Sequence, residues 1–234
     1  MAHLRLVADI LGHISDRVDE DHLLVRCRGP RERGLRFTEP DDIRLIGIDE
    51  SGDIGDGYRT PGELPIHVEI LRQRPEVMSV VHVHPPAVVV AALAEVPLVP
   101  FVGAYNIPAM RLAERGIPVH GRSVLISRPE LAHEMLETMA GSDTCVLAGH
   151  GLVTTGSRPR EAVLKALDIA MLAELSLAVV SAGGTPKPIP DADRADLPDL
   201  GPSFNEDTLW RHHLACLAAD GWDLECEVAE DGDR

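Results

Sequence analysis

Three histidines in this chain have the types of neighbour and the spacing that a metal site needs. The sequence Val-His-Val-His covers residues 81–84, and His150 stands between two glycines. Because side chains at positions i and i+2 of a β-strand point to one face, His82 and His84 are expected to stand side by side, about 6.5–7 Å apart along the strand. Together with His150 they offer three nitrogens to one ion and leave a coordination position open, as in catalytic sites. The alternative is three unrelated histidines bonded to backbone carbonyls, and the alternating valines and flanking glycines favour the shared site.

The composition excludes several classes of partner. Hydrophobic residues make up 44% of the 234 residues, which is ordinary for a globular domain, and the net charge of −16 argues against nucleic acid or a membrane surface as a partner. The four cysteines have no CxxC spacing and the first residues show no signal peptide, which predicts reduced thiols in a cytoplasmic protein. The longest apolar run, at residues 166–180, contains Asp168 and Glu174 and predicts a buried helix instead of a membrane span.

Short apolar segments alternate with segments of helical periodicity through the first 184 residues. Strands are predicted at residues 23–26, 35–38, 45–49, 81–84, 98–101, 124–127, 144–148 and 152–155. Helices are predicted at residues 4–11, 65–72, 87–94, 108–115, 129–140 and 160–182. This alternation of short strands, hairpins and helices predicts an α/β fold in which a mixed or antiparallel sheet carries helices on its faces. The proline- and aspartate-rich residues that follow predict an arm, with a short amphipathic helix at 208–219.

Several motifs occur in a fixed order around the three histidines. Glu63 ends a Pro-Gly-Glu triplet, His67 follows one helical turn later, Arg74 precedes a proline, and the paired histidines are followed by Pro85. With the Gly-His-Gly triplet, these motifs resemble the class II aldolase/adducin family, and the resemblance extends over about residues 4–182. It implies a three-layer α/β/α sandwich with a central mixed or antiparallel sheet, over residues 1–184. Residues 185–234 are then the appended arm and C-terminal helix.

The resemblance also implies a set of partners. A divalent metal, one per subunit, is expected to bind to His82, His84 and His150. Zinc is the expected ion, and manganese, cobalt and iron are alternatives because three imidazoles accept each of them. Family membership further implies a homo-oligomer, usually a cyclic tetramer, with active sites at subunit interfaces.

The departures from the family pattern concern phosphate binding. Sugar-phosphate members hold phosphate with an asparagine, a Thr-Gly pair and paired serines. Here those positions carry His13, the pair at residues 38–39 (Thr-Glu) and the pair at residues 61–62 (Pro-Gly). Since phosphate needs convergent N–H and O–H donors, a phosphorylated sugar is disfavoured as substrate, and a sugar-phosphate epimerase is the last of the hypotheses.

The remaining pattern is most similar to the decarboxylase branch of the family, whose substrates are hydroxylated aromatic dicarboxylates such as 3,4-dihydroxyphthalate. Four motifs support this branch: Gly-His-Ile-Ser at residues 12–15, Thr-Glu-Pro at 38–40, His-Pro-Pro at 84–86 and Gly-Ile-Pro-Val at 116–119. Such a reaction would give a catechol-type acid.

Glu63 matches the acidic catalytic residue of the family. Loss of carbon dioxide leaves electron density on a ring carbon, which a Lewis-acidic metal stabilises and a proton donor must quench. As that donor, Glu63 would need a raised pKa, which partial burial can give. Its alternative role is an acidic residue that stabilises the N-terminus of the following helix.

Four other residues are candidates for substrate binding. His13 and Arg17 could contact a substrate carboxylate, which arginine binds with two parallel hydrogen bonds. His67 could orient a ligand or the substrate, and Tyr105 could line the pocket. Each has a plain alternative as a surface or packing residue. The segment 210–213 (Trp-Arg-His-His) is expected to belong to an ordinary terminal helix.

Three functions therefore remain open. The first is a metal-dependent decarboxylase of a small aromatic acid. The second is a class II aldolase that acts on an unphosphorylated hydroxy-carbonyl substrate with the same metal and glutamate. The third, an adducin-like interaction module without chemistry, is disfavoured because the three histidines persist. Metal analysis and a His82→Ala variant separate it from the two enzymes.

Overall fold

The computed structural model describes residues 1–8 and 10–222. The chain divides into two compact units, Met1–Pro198 and Asp199–Arg234. The first unit therefore includes part of the arm that the sequence separates at residue 184, and that earlier boundary stays a prediction. Cys226 and the end of the predicted arm lie outside the described residues.

The first unit contains a seven-stranded sheet. The strands are β1 (His13–Arg17), β2 (His22–Arg26), β3 (Ile43–Gly47), β4 (Ser79–Val83), β5 (Val119–His120), β6 (Thr144–Leu147) and β7 (Gly151–Gly156). Their order across the sheet is β3-β2-β1-β4-β7-β6-β5. Neighbouring strands are antiparallel except β5 and β6, which are parallel. The sheet is mixed, as the sequence predicts.

Helices cover both faces of this sheet. The helices of the first unit are α1 (Leu64–Gln73), α2 (Pro86–Leu93), α3 (Ile107–Glu114), α4 (Pro129–Met139), α5 (Pro159–Ser181) and α6 (Asp191–Ala195). The second unit contains α7 (Leu209–Ala219). Helices α1 and α4 pack together on one face, and α2 and α3 pack on α5 at the other. The predicted three-layer α/β/α sandwich is thereby confirmed. In the described part of the chain, no helix combines the length and the apolar character that crossing a membrane requires.

Strand β4 lies near the centre of the sheet and all its residues are buried. Val80 belongs to the aliphatic core between the sheet and helices α1 and α4. Because side chains alternate along a strand, His82 points to that same face, whereas Val81 and Val83 point to the other one. The strand therefore holds a polar ring within an apolar layer. Pro65 in the first turn of α1 starts that helix where its missing N–H costs little.

Four predicted elements are absent from the described residues. The part of residues 4–11 that is described forms turns, not a helix, and residues 35–38 form a single 3₁₀ turn after Gly34, whose φ is +91°. Residues 98–101 contain a proline, which has no N–H for a ladder, and are not a strand. Residues 124–127 are also not a strand, because the Ile126 N–H bonds to the Glu63 side chain instead of to a neighbouring strand.

Candidate metal centre

Three central strands and the first helix meet at the candidate site. The register pairs His13 of β1 with His82 of β4, and His82 with Val153 of β7. His84 follows β4 directly, and His150 directly precedes β7 in the tight turn from β6. Glu63 is the residue before α1, the helix that covers this face of the sheet. Residues far apart in sequence are therefore brought to one end of one sheet face.

The four side chains of this cluster converge on a single point. Ligand atoms of Glu63, His82, His84 and His150 all lie within 4.8 Å of one another. The Nε2 atoms of His84 and His82 are 2.9 Å apart. The Oε2 atom of Glu63 lies 3.3 Å from the Nε2 atoms of both His82 and His150. The predicted trio of histidines is therefore assembled, with the glutamate beside it.

The hydrogen bonds of the cluster fit a cation at its centre. His82 Nδ1 lies 3.1 Å from the carbonyl oxygen of Leu152 and must donate to it, so its Nε2 carries a lone pair toward the cluster. Metal-binding histidines are commonly fixed in this way by a carbonyl. The His150 ring nitrogens are buried and, in the described part of the chain, have no well-aligned hydrogen-bond partner. A buried nitrogen of this kind needs an explanation, and a divalent ion supplies one.

Glu63 is held in place and is 93% shielded, with a relative exposure of 7%. Its Oε1 accepts a 2.8 Å hydrogen bond from the Ile126 N–H, while Oε2 faces the imidazoles. Burial raises the pKa of Glu63, but the imidazoles of His150 and His82 lower it by more, so that it lies well below its usual range. The expected raised pKa is therefore wrong for this arrangement. The facing histidines, which the sequence does not place, keep the carboxylate ionised.

Behind the cluster lies a second group of polar side chains, Ser15, His67 and His13. His13 Nδ1 is 2.6 Å from His67 Nε2, and His67 Nδ1 is 2.6 Å from the Ser15 hydroxyl. His67 has no exposed surface, and burial, followed by the charge of His82, lowers its pKa to about 3. Burial and the neighbouring His67 and His82 also lower the pKa of His13. The structure thus places His67 behind His13 instead of at an open surface.

The structure does not bring Arg17 or Tyr105 to the cluster. Arg17 lies at the opposite end of β1 from His13, where its guanidinium donates to the backbone carbonyls of Leu71 and Val77. Tyr105 ends a single 3₁₀ turn and is 75% exposed. In the part of the chain that the structure describes, no recorded hydrogen bond joins either residue to the four cluster side chains.

Sequence reasoning missed several residues near the site. Ser15 could have been found, because it is two positions from His13 on one strand and so shares its face. A cavity of about 570 Å³ adjoins the segment that carries Glu63, and Arg28 and Arg59 line it. In a chain with net charge −16 these arginines are suited to an anionic ligand, and Asp49, Glu50 and Glu69 line the same cavity. No sequence pattern indicates these two arginines, since a bridge between distant loops pairs their backbones.

Comparisons with known proteins identify the family of the chain. Residues 1–177 match the family described as the class II aldolase and adducin N-terminal domain. A 3,4-dihydroxyphthalate decarboxylase of Arthrobacter keyseri is 52% identical over 223 residues, which are 94% of this chain and 90% of that protein. One of the same name from Terrabacter sp. (strain DBF63) is 50% identical over 88% of this chain and 87% of its own length.

A solved structure has the same fold. An aldolase II superfamily protein from Pseudomonas syringae superimposes with a TM-score of 0.75 at 18% identity, over 94% of this chain and 90% of that one. At this identity the likeness concerns the fold alone.

Proposed function

The chain belongs to the class II aldolase and adducin family, and from that premise we propose that it is a metal-dependent carboxy-lyase. It removes carbon dioxide from a hydroxylated aromatic dicarboxylate of the 3,4-dihydroxyphthalate type and releases a catechol-type acid. The observation that carries this proposal is the convergence of Glu63 and three histidines within 4.8 Å. Relatives that share about half of their residues over nearly the whole chain, and that are named for this activity, give the substrate class.

The reaction needs a group that stabilises the electron pair left on the ring and a group that donates one proton. The bond between the ring and the carboxylate carbon breaks, its electron pair stays on the ring carbon, and carbon dioxide leaves. His82, His84 and His150 would hold a divalent ion, which would supply Lewis acidity to stabilise this electron pair.

Glu63 is proposed to carry the proton. As a carboxylate, it first accepts the proton of the phenolic hydroxyl next to the departing carboxylate. After carbon dioxide has left, it returns that proton to the ring carbon. The product phenolate is protonated from solvent on release, so one proton is consumed for each carbon dioxide formed. The Ile126 N–H fixes the other carboxylate oxygen throughout.

Zinc is the metal that this donor set favours. Imidazole nitrogens and a carboxylate are its common ligands, and three histidines with one further position form a familiar catalytic arrangement. Manganese, cobalt and iron accept the same ligands and are separate arms of the metal test.

The protein is proposed to form a homo-oligomer, such as a cyclic tetramer with active sites at its subunit interfaces. An apolar surface on the outer strands supports this proposal. Leu24 of β2 is paired with Leu45 of β3, and both are exposed together with Ile43. Adjacent exposed apolar residues on a sheet indicate an interaction surface. A cytoplasmic location is supported by Cys27, Cys145 and Cys216, which are free thiols.

The deciding experiment loads the purified protein with each candidate metal and offers it 3,4-dihydroxyphthalate. Carbon dioxide should be released, and the product formed in heavy water should carry deuterium at the ring carbon that lost the carboxylate. The Glu63→Gln variant is the control. Release of an aldehyde from an unphosphorylated hydroxy-carbonyl compound, without carbon dioxide from the dicarboxylate, would establish the aldolase alternative. Protein that binds no metal would support the interaction module.

A further inference from the structure

The group Ser15, His67 and His13 forms one continuous hydrogen-bonded row that ends beside the metal cluster. Both links are 2.6 Å long. Ser15 and His67 are completely or almost completely buried, and His13 keeps 6% of its surface exposed. The rings of His13 and His82 have their centroids 5.1 Å apart. Ser15 therefore stands at the closed end of the row and His13 at the end next to the candidate metal.

The positions of the hydrogens in this row follow from counting donors. The Ser15 hydroxyl has one hydrogen to place, and in the described part of the chain its recorded side-chain contact is His67 Nδ1. Buried donors are rarely left without an acceptor, whereas a spare lone pair is tolerated more often. Ser15 therefore donates to His67 Nδ1. A neutral His67 then carries its hydrogen on Nε2 and donates it to His13 Nδ1.

These hydrogen bonds determine the tautomer of His13, the last ring in the row. His13 Nδ1 accepts a hydrogen bond, so a neutral His13 must carry its own hydrogen on Nε2, the only other polar atom of the ring. A histidine whose Nδ1–H donated to His67 would instead present a lone pair, and it would compete for the metal as a fourth imidazole. The row thus turns His13 from a potential metal ligand into a hydrogen-bond donor.

We propose that Ser15 and His67 are positioning residues that fix His13 as an N–H donor for the carboxylate that the substrate keeps. This inference rests on the proposed function, because a dicarboxylate has a second carboxylate to bind while the first one leaves. A donor directed at an anionic oxygen favours a carboxylate over a neutral ring substituent. Specificity for dicarboxylates over monocarboxylates is therefore attributed to this row.

Nitrogen NMR tests the tautomer directly. The full chain, labelled with ¹⁵N in its histidines and loaded with zinc, should show His13 with its hydrogen on Nε2 and a hydrogen-bonded lone pair on Nδ1. The Ser15→Ala variant should convert His13 to a mixture of the two tautomers. Ser79→Ala is the matched control, since it removes another buried strand hydroxyl, the one bonded to Asp16. A His13 that carries its hydrogen on Nδ1 in the zinc-loaded protein overturns the proposal.

Binding and kinetics test the consequence. His67→Leu removes the N–H that holds His13 Nδ1 as an acceptor, so that His13 can present an Nε2 lone pair to the metal instead of a donor to the substrate. KM for 3,4-dihydroxyphthalate should therefore rise, by no more than about 100-fold, the value of one hydrogen bond to a charged group, with little change in kcat. His67→Gln, whose amide can still donate to His13, should restore most of this loss. The dissociation constant for phthalate, which has two carboxylates but no hydroxyl, should shift in parallel. Equal KM values for the leucine and glutamine variants overturn the proposal.

These measurements separate the inference from the proposed function. If no carbon dioxide is released from 3,4-dihydroxyphthalate, the decarboxylase proposal fails, while the tautomer and the phthalate dissociation constants still decide the role of the row. If carbon dioxide is released but wild-type protein and the His67→Leu variant bind phthalate equally, the row is a structural feature and the inference fails alone.

Discussion

Two carboxyl groups on opposite faces of the sheet have pKa values that are shifted in opposite directions. Glu63 precedes α1, and the imidazoles of His150 and His82 hold its pKa well below the usual range despite burial. Asp168 lies in α5, and burial raises its pKa to about 6, since the hydrogen bond that the neutral Asn106 amide donates lowers it by less. Burial is common to both sites, so the partners decide the charge.

This difference distinguishes a site that can do chemistry from one that only packs. A carboxylate that stays ionised inside the protein must face groups that stabilise negative charge, and strongly shifted pKa values of this kind are common at functional sites. A carboxyl group that faces an amide, such as Asp168, keeps its proton up to about pH 6. The comparison predicts a large loss of activity from changes around Glu63 and none from a change at Asp168.

The largest effect is expected from removing an imidazole of the cluster. His84→Ala should lower the rate of carbon dioxide release by about 10³-fold or more, since Lewis-acid assistance is worth several kcal/mol. The purified variant should also contain far less metal by elemental analysis. Surface His22, which bonds to Asp19, provides the control as His22→Ala. Normal metal content and activity in the His84 variant would show that the cluster is not a metal site.

The second effect concerns the proton. Glu63→Gln preserves the side-chain shape and an acceptor for the Ile126 N–H but removes the group that transfers a proton. The turnover number should fall by about 10²-fold or more, the usual value of general acid–base catalysis, while the variant still binds metal. Steady-state kinetics and elemental analysis on the same preparation check both statements. A variant that has full kcat would assign the proton to another residue.

A smaller effect is expected in the cavity next to the Glu63 segment. Arg28→Gln and Arg59→Gln should each raise KM for the dicarboxylate by about 10-fold, because each removes a charge-assisted hydrogen bond or a nearby positive charge. Arg33→Gln is the control, since Arg33 is an exposed partner of Glu39. KM values unchanged in both variants would place the substrate elsewhere.

The sequence predicted the parts of the site that depend on local geometry. Strand alternation is sufficient to place His82 beside His84, and the resemblance adds His150 and Glu63. The comparisons confirm the family and the decarboxylase branch. The mixed sheet between helices was also predictable, because strands and helices alternate along the chain.

Partners that are distant in the sequence explain what was not predictable. His13 and His67 are separated by 54 residues, so their hydrogen bond has no sequence pattern. The low pKa of Glu63 depends on the same kind of long-range contact, and burial alone suggests the opposite direction. The charge of Arg17 makes it a candidate for binding a substrate carboxylate. Only the fold shows that its guanidinium instead donates to a backbone carbonyl near the end of α1.

The smallest effect on activity is expected at Asp168. Its raised pKa means that the folded chain keeps a proton that the unfolded chain loses above about pH 4. The contribution of this proton to the free energy of unfolding is therefore complete below about pH 4, and it is lost as the pH rises through about 6. Asp168→Asn, which can still accept from Asn106, should leave kcat unchanged and raise the free energy of unfolding at pH 8 by up to about 3 kcal/mol, the equivalent of two pKa units.

Denaturant titrations of wild-type protein and Asp168→Asn at several pH values measure this contribution as the difference between the two proteins. The difference should be small near pH 4, grow between pH 4 and 6, and then stay constant. A difference that does not change with pH would mean that Asp168 is ionised in the folded chain, and that its surroundings resemble those of Glu63 after all. The contrast between the two faces of the sheet would then rest on geometry instead of charge.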